Sequence, residues 1–142
     1  MSTTADVAFD QATLERFADL AIGFAANVQK GQIVAIGAEL GKEAMVRALA
    51  AKAYQYGAKF VDVQYFDMHV KRARILDAEE DTLDFVPPWY GQRLLELGRL
   101  RCARVEGTEQ RFLIVRPLPG ASIERILAVA GVEQVLDLVD DA

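Results

Sequence analysis

A strand–helix–strand pattern in residues 32–65 constrains the fold more than any other feature of this sequence. Residues 32–37 are almost continuously apolar, which is typical of a parallel strand covered on both faces. Residues 41–56 repeat apolar side chains at helical spacing, and Gly57 fits the position just after a helix end. A second strand follows at residues 60–65. Together these segments predict a βαβ unit with a right-handed crossover.

Further apolar segments extend this unit into a larger sheet. Helical spacing in residues 11–27 precedes it, with Thr13 as a candidate N-cap, and three more strands are predicted at residues 100–105, 111–116 and 135–139. Other helices are predicted at residues 67–78, 88–98 and 122–131. Strands that alternate with helices predict an α/β fold, a three-layer doubly wound sandwich of flavodoxin-like or Rossmann-like type. Its mostly parallel five-stranded sheet is expected to have the order 2-1-3-4-5.

Composition bounds the domain count and the classes of partner. A chain of 142 residues, 52% hydrophobic and 26% charged, predicts a tail at residues 1–10 and a single domain at residues 11–142. The net charge of −5 disfavours nucleic acid and anionic membranes as partners, because no Lys/Arg cluster stands apart from its acidic neighbours. No apolar run reaches the roughly 20 residues of a membrane span, and no signal peptide is recognisable, so a cytoplasmic location is expected.

The residues that could support catalysis are too few for the known templates. His69 and Cys102 are the only histidine and cysteine, whereas catalytic zinc sites usually gather two or three such ligands. Ser122 fits a helix N-cap better than a nucleophile, because no G-x-S-x-G elbow surrounds it. Cys102 lies along a predicted strand, where nothing would lower the thiol pKa for a dyad with His69. We therefore predict no catalytic residue, no metal site and no cofactor.

Three local features retain some functional interest. Residues 37–41 join the first strand to its helix, where such folds bind anions, but they match no phosphate-binding motif. The basic residues Lys71, Arg72 and Arg74 follow the second strand closely, and a solvated face is the simpler interpretation. Trp89 and Tyr90 are interpreted as core residues, with a partner surface as the alternative. A homo-oligomer is conceivable through that Trp89/Tyr90 surface or through an exposed sheet edge.

An ordered series of segments resembles a known family. The segments are residues 14–22, 27–34, 47–54, 57–59, Val61-Asp-Val-Gln-Tyr-Phe-Asp67 and residues 87–89. Across residues 14–107 the chain resembles the amino-terminal domain of the thermophilic metallo-aminopeptidases, the aminopeptidase T, aminopeptidase S and PepS group. The resemblance implies a much longer protein whose dinuclear metal site, built from Glu, His, Tyr and Asp, lies in a following domain. No family catalytic residue carries over to this sequence.

The last part of the chain departs from that family pattern. Residues 112–117, 123–131 and 135–140 weakly resemble the closing strand, helix and strand of STAS domains, without the Asp-Ser pair of the phosphorylation switch. A peptidase-like part at residues 11–107 joined to a STAS-like part at residues 108–142 suggests an engineered or recombined chimera of the de novo protein class. The alternative origins are a natural relative that kept only the amino-terminal domain and a truncated chain. We therefore expect a non-catalytic α/β scaffold. The alternatives are a binding or regulatory module, and residual metal-dependent aminopeptidase activity.

Overall fold

A computed structural model describes residues 10–107 and 112–115 of the chain. The helices are α1 (Gln11–Asp19), α2 (Glu43–Gln55), α3 (Met68–Asp77) and α4 (Pro88–Arg99), with a π-helical segment (Leu20–Ala25) and a 3₁₀ turn (Glu80–Thr82). The strands are β1 (Ile33–Glu39), β2 (Phe60–Phe66), β3 (Ala103–Gly107) and β4 (Phe112–Val115). The chain is thus α/β over the described residues, as predicted.

The described strands form one sheet in the order β2-β1-β3-β4. β1 pairs in parallel with both β2 and β3, whereas β4 is antiparallel to β3. Only residues 108–111 separate β3 from β4, and a parallel pair would need a crossover of a dozen or more residues. The first four strands follow the predicted order. The predicted strand at residues 135–139 and helix at residues 122–131 lie outside the described residues, as do residues 1–9.

The first helical region differs from the single helix predicted at residues 11–27. α1 ends at Asp19, and the chain continues as a π-helical segment through Ala25. Asp10, not Thr13, is the N-cap, because the Asp10 carboxylate accepts a hydrogen bond from the Thr13 amide at 2.8 Å. A carboxylate on the residue just before a helix accepts a hydrogen bond from a first-turn amide, which has no acceptor within the helix.

The third strand also begins later than predicted. α4 extends to Arg99, and Arg101 turns the chain with a φ of 51° before β3 starts at Ala103. Cys102 therefore lies just before the strand. The turn at Gly57 is confirmed, because its φ of 88° is one that glycine adopts without steric cost.

The main core lies between one face of the sheet and the first two helices. Val34 and Ile36 of β1, Val61 of β2 and Val105 of β3 meet Leu49 of α2 in one buried cluster. We call this side of the sheet the covered face. In the β1–β2 and β1–β3 registers, Val34 faces Val61 and Ile36 faces Val105, so these side chains point the same way.

α4 lies on the opposite side of the sheet from α2. The connection from β1 to β2 runs towards one edge of the sheet, whereas the connection from β2 to β3 runs back past β1 towards the other edge. Because crossovers between parallel strands are right-handed, the helices in these two connections lie on opposite faces of the sheet. A hydrogen bond from Arg93 of α4 to Asp62 of β2 agrees with this placement, because Asp62 alternates with the buried Val61. Within residues 10–107 and 112–115, no helix is long and apolar enough to cross a membrane.

Candidate functional site

The second face of the sheet is polar where the covered face is apolar. In one row Asp62, Ala35 and Arg104 lie side by side on β2, β1 and β3. The next row along the same three strands contains Gln64, Gly37 and Glu106. We call this the charged face, defined by Asp62 and Gln64 of β2 and by Arg104 and Glu106 of β3, the two strands that flank β1. The small residues Ala35 and Gly37 leave a shallow groove along its middle.

Ion pairs organise the charged face. Arg93 of α4 donates to Asp62, and Arg104 donates to Glu106 two residues along the same strand. All four side chains are partly exposed, so solvent screens both pairs. The groove between them, with Gln64 at its side, encloses a cavity of about 30 Å³. A cavity of that size holds water rather than an organic ligand.

The side chains of the described residues do not fit a catalytic metal. Zinc-type sites need about three closely placed His, Cys or carboxylate ligands. Among residues 10–107 and 112–115, no group of three or more such residues is close enough to hold a metal ion. On the charged face each carboxylate is paired with a guanidinium, which disfavours a second cation there.

Of residues 37–41, predicted to join the first strand to its helix, residues 37–39 lie within β1, and the loop after them already holds a carboxylate of the chain. The Glu43 carboxylate accepts a hydrogen bond from the Gly41 amide at 3.0 Å, at the start of α2. That hydrogen bond, followed by one from the Glu43 amide itself, lowers the pKa of Glu43 below its ordinary value. The Glu43 carboxylate therefore already compensates the positive amino-terminal end of α2.

The polar residues after β2 build local structure. The Asp67 carboxylate caps α3 by accepting from the His69 amide at 2.8 Å. The ammonium of Lys71 lies 5.1 Å from the centre of the Phe66 ring. Arg74 donates to three backbone carbonyls of the following loop. Lys71 and Arg74 of the basic run are thus engaged in separate intrachain contacts.

Cys102 and His69 do not form a dyad. Cys102 lies one residue before the pairing of Ala103 with Val34, at the amino end of the parallel strands. His69 follows Phe66, at their carboxyl end, which places the two about 20 Å apart at the strand rise. Burial, and then the nearby Asp62 carboxylate, raise the pKa of the Cys102 thiol. A buried thiol with a raised pKa is a poor nucleophile.

The core position predicted for Trp89 and Tyr90 is wrong. Their side chains are 64% and 51% exposed on the first turn of α4. No residue of α4 is fully buried, and Arg93 reaches the charged face, where it donates to Asp62. An apolar pattern alone did not show that the sheet beneath α4 is polar.

The residues of the charged face belong to no motif that singles them out in the sequence. The signal was present as the alternation Ala-Arg-Val-Glu-Gly in β3, whose polar members point away from the core. In β2, Asp62 and Gln64 alternate in the same way. The ladder register was needed to show that these residues share two adjacent rows.

Comparison with known proteins places this architecture in a family. The sequence profile described as Thermophilic metalloprotease (M29) matches residues 10–126. Aminopeptidase T of Thermus thermophilus is 37% identical over 102 residues, which cover 70% of this chain and 25% of the relative. Aminopeptidase AmpS of Bacillus subtilis is 33% identical over 86 residues, covering 61% of this chain and 21% of the relative.

A solved structure agrees with the sequence comparison. Wild-type AmpT from Thermus thermophilus superposes with a TM-score of 0.65 at 29% identity, covering 92% of this chain and 34% of that one. The chain thus spans about a quarter of the length of the aminopeptidases T it matches. The family match also continues beyond residue 107, where we placed the junction of a chimera. The matched range, the identities and the shared fold together show that the chain belongs to the M29 family of thermophilic metalloproteases.

Proposed function

We propose that this chain is a non-catalytic α/β module of the M29 metallo-aminopeptidase type, which supports peptidase activity only together with a metal-bearing part. The observation that carries the proposal is that the polar side chains form hydrogen bonds within the chain. The carboxylates of Glu43, Asp62, Asp67 and Glu106 each accept hydrogen bonds from groups of the same chain. Side chains used in this way hold strands, helix ends and loops in place.

A peptidase assay tests this proposal directly. We expect the purified 142-residue chain to show no chelator-sensitive hydrolysis of aminopeptidase substrates with added cobalt or zinc. Aminopeptidase T of Thermus thermophilus serves as the positive control under the same conditions. Robust turnover that a chelator abolishes would show residual aminopeptidase activity and would contradict the proposal.

The complementary test transplants the module. The aligned segment of aminopeptidase T is replaced by the matching residues of this chain, and the full-length product is assayed with metal. Retained chelator-sensitive activity is expected, because the two segments are 37% identical and share a fold. A folded but inactive transplant would argue against a supporting role in catalysis.

A binding module is the second candidate, and the exposed apolar side chains after β2 favour it. Met68, Val70 and Ile75 of α3 and Trp89 of α4 are each more than half exposed. Such residues are typical of surfaces that meet another protein segment. Titration of the chain against the metal-bearing part of a relative would test it, and absence of any association would count against it.

Recombination between residues 107 and 108 is a separate proposal about origin. The weak STAS-like pattern at residues 112–140 supports it, and the extension of the M29 match to residue 126 weakens it. Comparison of residues 108–142 alone with natural families is the test. Alignment of M29 relatives through residue 142 would overturn the chimera.

A further inference from the structure

β2 is the edge strand of the described sheet. Among the described strands it pairs only with β1, and the pairing runs without a bulge from Phe60 to Phe66. Natural edge strands are usually protected by lysine, proline, a bulge or a covering element. β2 contains neither lysine nor proline, and its residues 63–65 are exposed. Over the described residues, this edge is open to another strand.

The backbone groups of β2 alternate between the side of β1 and the open edge. The Phe66 carbonyl accepts a hydrogen bond from the Leu40 amide at 3.4 Å, so Phe66 faces β1. Because hydrogen-bonding direction alternates along a strand, Val61, Val63 and Tyr65 direct their amides and carbonyls towards the open edge.

The contact made by the Val61 amide agrees with this assignment. It donates to the hydroxyl of Tyr54 on α2 at 3.1 Å, not to β1. Within residues 10–107 and 112–115, no comparable hydrogen bond engages the outward amides of Val63 and Tyr65. One end of the edge is thus capped by a side chain, and the rest offers unpaired backbone groups.

The covered face is incomplete beside this edge. Val61 is buried in the main core, and alternation directs Val63 and Tyr65 to the same face. These two side chains nevertheless remain 38% and 39% exposed. A further strand at this edge would place its own side chains beside them and extend the core.

The sequence of β2 is complementary to itself around Val63. Two antiparallel copies with Val63 on the two-fold axis would place Phe60 opposite Phe66, Val61 opposite Tyr65, and Asp62 opposite Gln64. Apolar side chains would meet apolar side chains, and each carboxylate would meet an amide, which are favourable cross-strand pairs. The same register brings the three outward-facing residues opposite one another, so that their backbone groups can pair.

The neighbouring registers are less favourable. An axis at Asp62 would place the two Asp62 carboxylates opposite each other, and like charges in that position are destabilising. An axis at Gln64 would place Asp62 opposite the apolar Phe66. The residue pattern therefore selects Val63 as the centre.

We propose that two copies of this chain associate by antiparallel pairing of their β2 strands, with Val63 on the two-fold axis. The pairing continues the sheet across the axis and uses the same surface of both copies. It does not depend on the proposed function. A contact limited to one strand is small, so the dimer is weak and depends on protein concentration.

Sedimentation equilibrium of the 142-residue chain, from micromolar to millimolar concentration, tests the pairing. The parent is expected to form a dimer that dissociates reversibly on dilution. Val63→Lys places two like charges on the axis and should raise the dimer Kd by about tenfold or more. Val70→Lys is the matched control, because Val70 is 67% exposed on α3 and lies outside the edge strand. It should leave the Kd unchanged.

Val63→Pro tests the backbone contribution. Proline removes an amide that β1 does not use, so the fold should be retained, as for proline on natural edge strands. The two hydrogen bonds on the axis are lost, and the Kd should rise by about tenfold or more. Circular dichroism checks the fold. If this variant does not fold, Val63→Lys and the cross-link described below decide.

Tyr54→Phe should act in the opposite direction. It frees the Val61 amide for the second copy, so the Kd should fall by about two- to tenfold, the effect of one hydrogen bond. An unchanged Kd would contradict the use of Val61 in the pairing and therefore this register.

A disulfide tests the position of the axis. Residues opposite each other in a hydrogen-bonded antiparallel pair have Cα atoms about 5.5 Å apart, a distance that a disulfide spans. Oxidation should therefore link Val63→Cys into a dimer, whereas Val70→Cys is the control and should link much less. Cys102 is buried and is present in both variants. Equal linking of the two variants would overturn the register.

Two results of the sedimentation experiment would overturn the association itself. One is a parent chain that stays monomeric at millimolar concentration, as expected if another part of the chain covers β2. The other is a dimer whose Kd neither Val63 variant changes, which would place the interface elsewhere. The peptidase assays of the proposed function measure a different property, so either proposal can fail without the other.

Discussion

The two faces of the sheet are built from the same strands but differ in what they hold. On the covered face, Val34, Ile36 and Val105 are almost completely buried against α1 and α2. On the charged face, the residues between them are Ala35, Gly37, Arg104 and Glu106, and α4 makes its polar contact through Arg93. A single residue step along a strand therefore changes a side chain from core to ion pair.

This difference shows how apolar burial is distributed in the molecule. The covered face provides the apolar burial on which folding depends. Within the described residues, α3 and α4 bury none of their side chains fully. Apolar burial is therefore concentrated on the covered face.

The largest expected effect is a loss of stability on the covered face. Leu49→Ala removes a side chain that is 1% exposed in the centre of the main core. We expect a decrease of about 2–5 kcal/mol in the free energy of unfolding, measured by urea denaturation. Ile75→Ala on α3 is the matched control and should change it by less than about 0.5 kcal/mol. Similar losses at both positions would contradict the division between the layers.

A pair of glycine substitutions sharpens the same comparison. A Cβ atom at Gly23 would lie 2.3 Å from the Tyr56 hydroxyl, which donates to Asp19, so Gly23→Ala must displace the Tyr56 ring. At Gly37 the nearest atom is Cγ of Glu106 at 3.6 Å, an ordinary contact.

We therefore expect Gly23→Ala to lower the free energy of unfolding by about 1–3 kcal/mol. Gly37→Ala is expected to be close to neutral in the same denaturation experiment. Addition of Tyr56→Ala should remove most of the steric part of the Gly23→Ala effect. A destabilised Gly37→Ala variant would mean that the charged face is packed more tightly than the structure shows.

The ion pair between α4 and β2 is expected to contribute modestly. A double-mutant cycle with Arg93→Met and Asp62→Asn should give a coupling energy of about 0.2–1 kcal/mol, because both side chains are partly exposed. The coupling should fall when salt is raised to about 1 M. A coupling that is large and insensitive to salt would indicate that α4 excludes water from the charged face.

The pKa of the Cys102 thiol is sensitive to the Asp62 carboxylate of the charged face. Burial and the Asp62 carboxylate raise this pKa above its ordinary value of 9.0, so the folded state favours the neutral thiol. The resulting stabilisation is fully present below pH 9.0 and is lost as the pH rises through the higher folded pKa. Titration of the thiolate absorbance should show Asp62→Asn lowering the pKa towards its ordinary value. An unchanged pKa would contradict the proximity of the two groups.

The smallest expected effect is at the start of α2. The pKa of Glu43 is lowered below its ordinary value of 4.5, mainly by the Gly41 amide, so its stabilisation is present above pH 4.5 and is lost as the pH falls through the folded pKa. Glu43→Gln should therefore lower the unfolding midpoint slightly at neutral pH. The unfolding midpoints of the Glu43→Gln variant and the parent chain should become equal at acid pH. A difference that persists at low pH would assign the effect to something other than the charge.

Much of the chain order was predictable from local patterns. The alternation of apolar strands with amphipathic helices predicted β1, α2 and β2 to within a few residues, and glycine at position 57 predicted the turn after α2. The start of β3 and the cap of α1 were less predictable. They depend on Arg101 and Asp10, whose roles follow from backbone turns and hydrogen bonds that no spacing rule reveals.

The sequence by itself determined the α/β class, the βαβ unit and the lack of a familiar catalytic motif, because these depend on periodicity and residue type along the chain. Only the tertiary structure decided which polar residues meet. Asp62, Arg93, Arg104 and Glu106 come from three separate elements, and their pairing depends on strand register and on the face that α4 occupies. It also decided that Trp89 is exposed, because burial depends on the surface opposite a residue as well as on the residue itself.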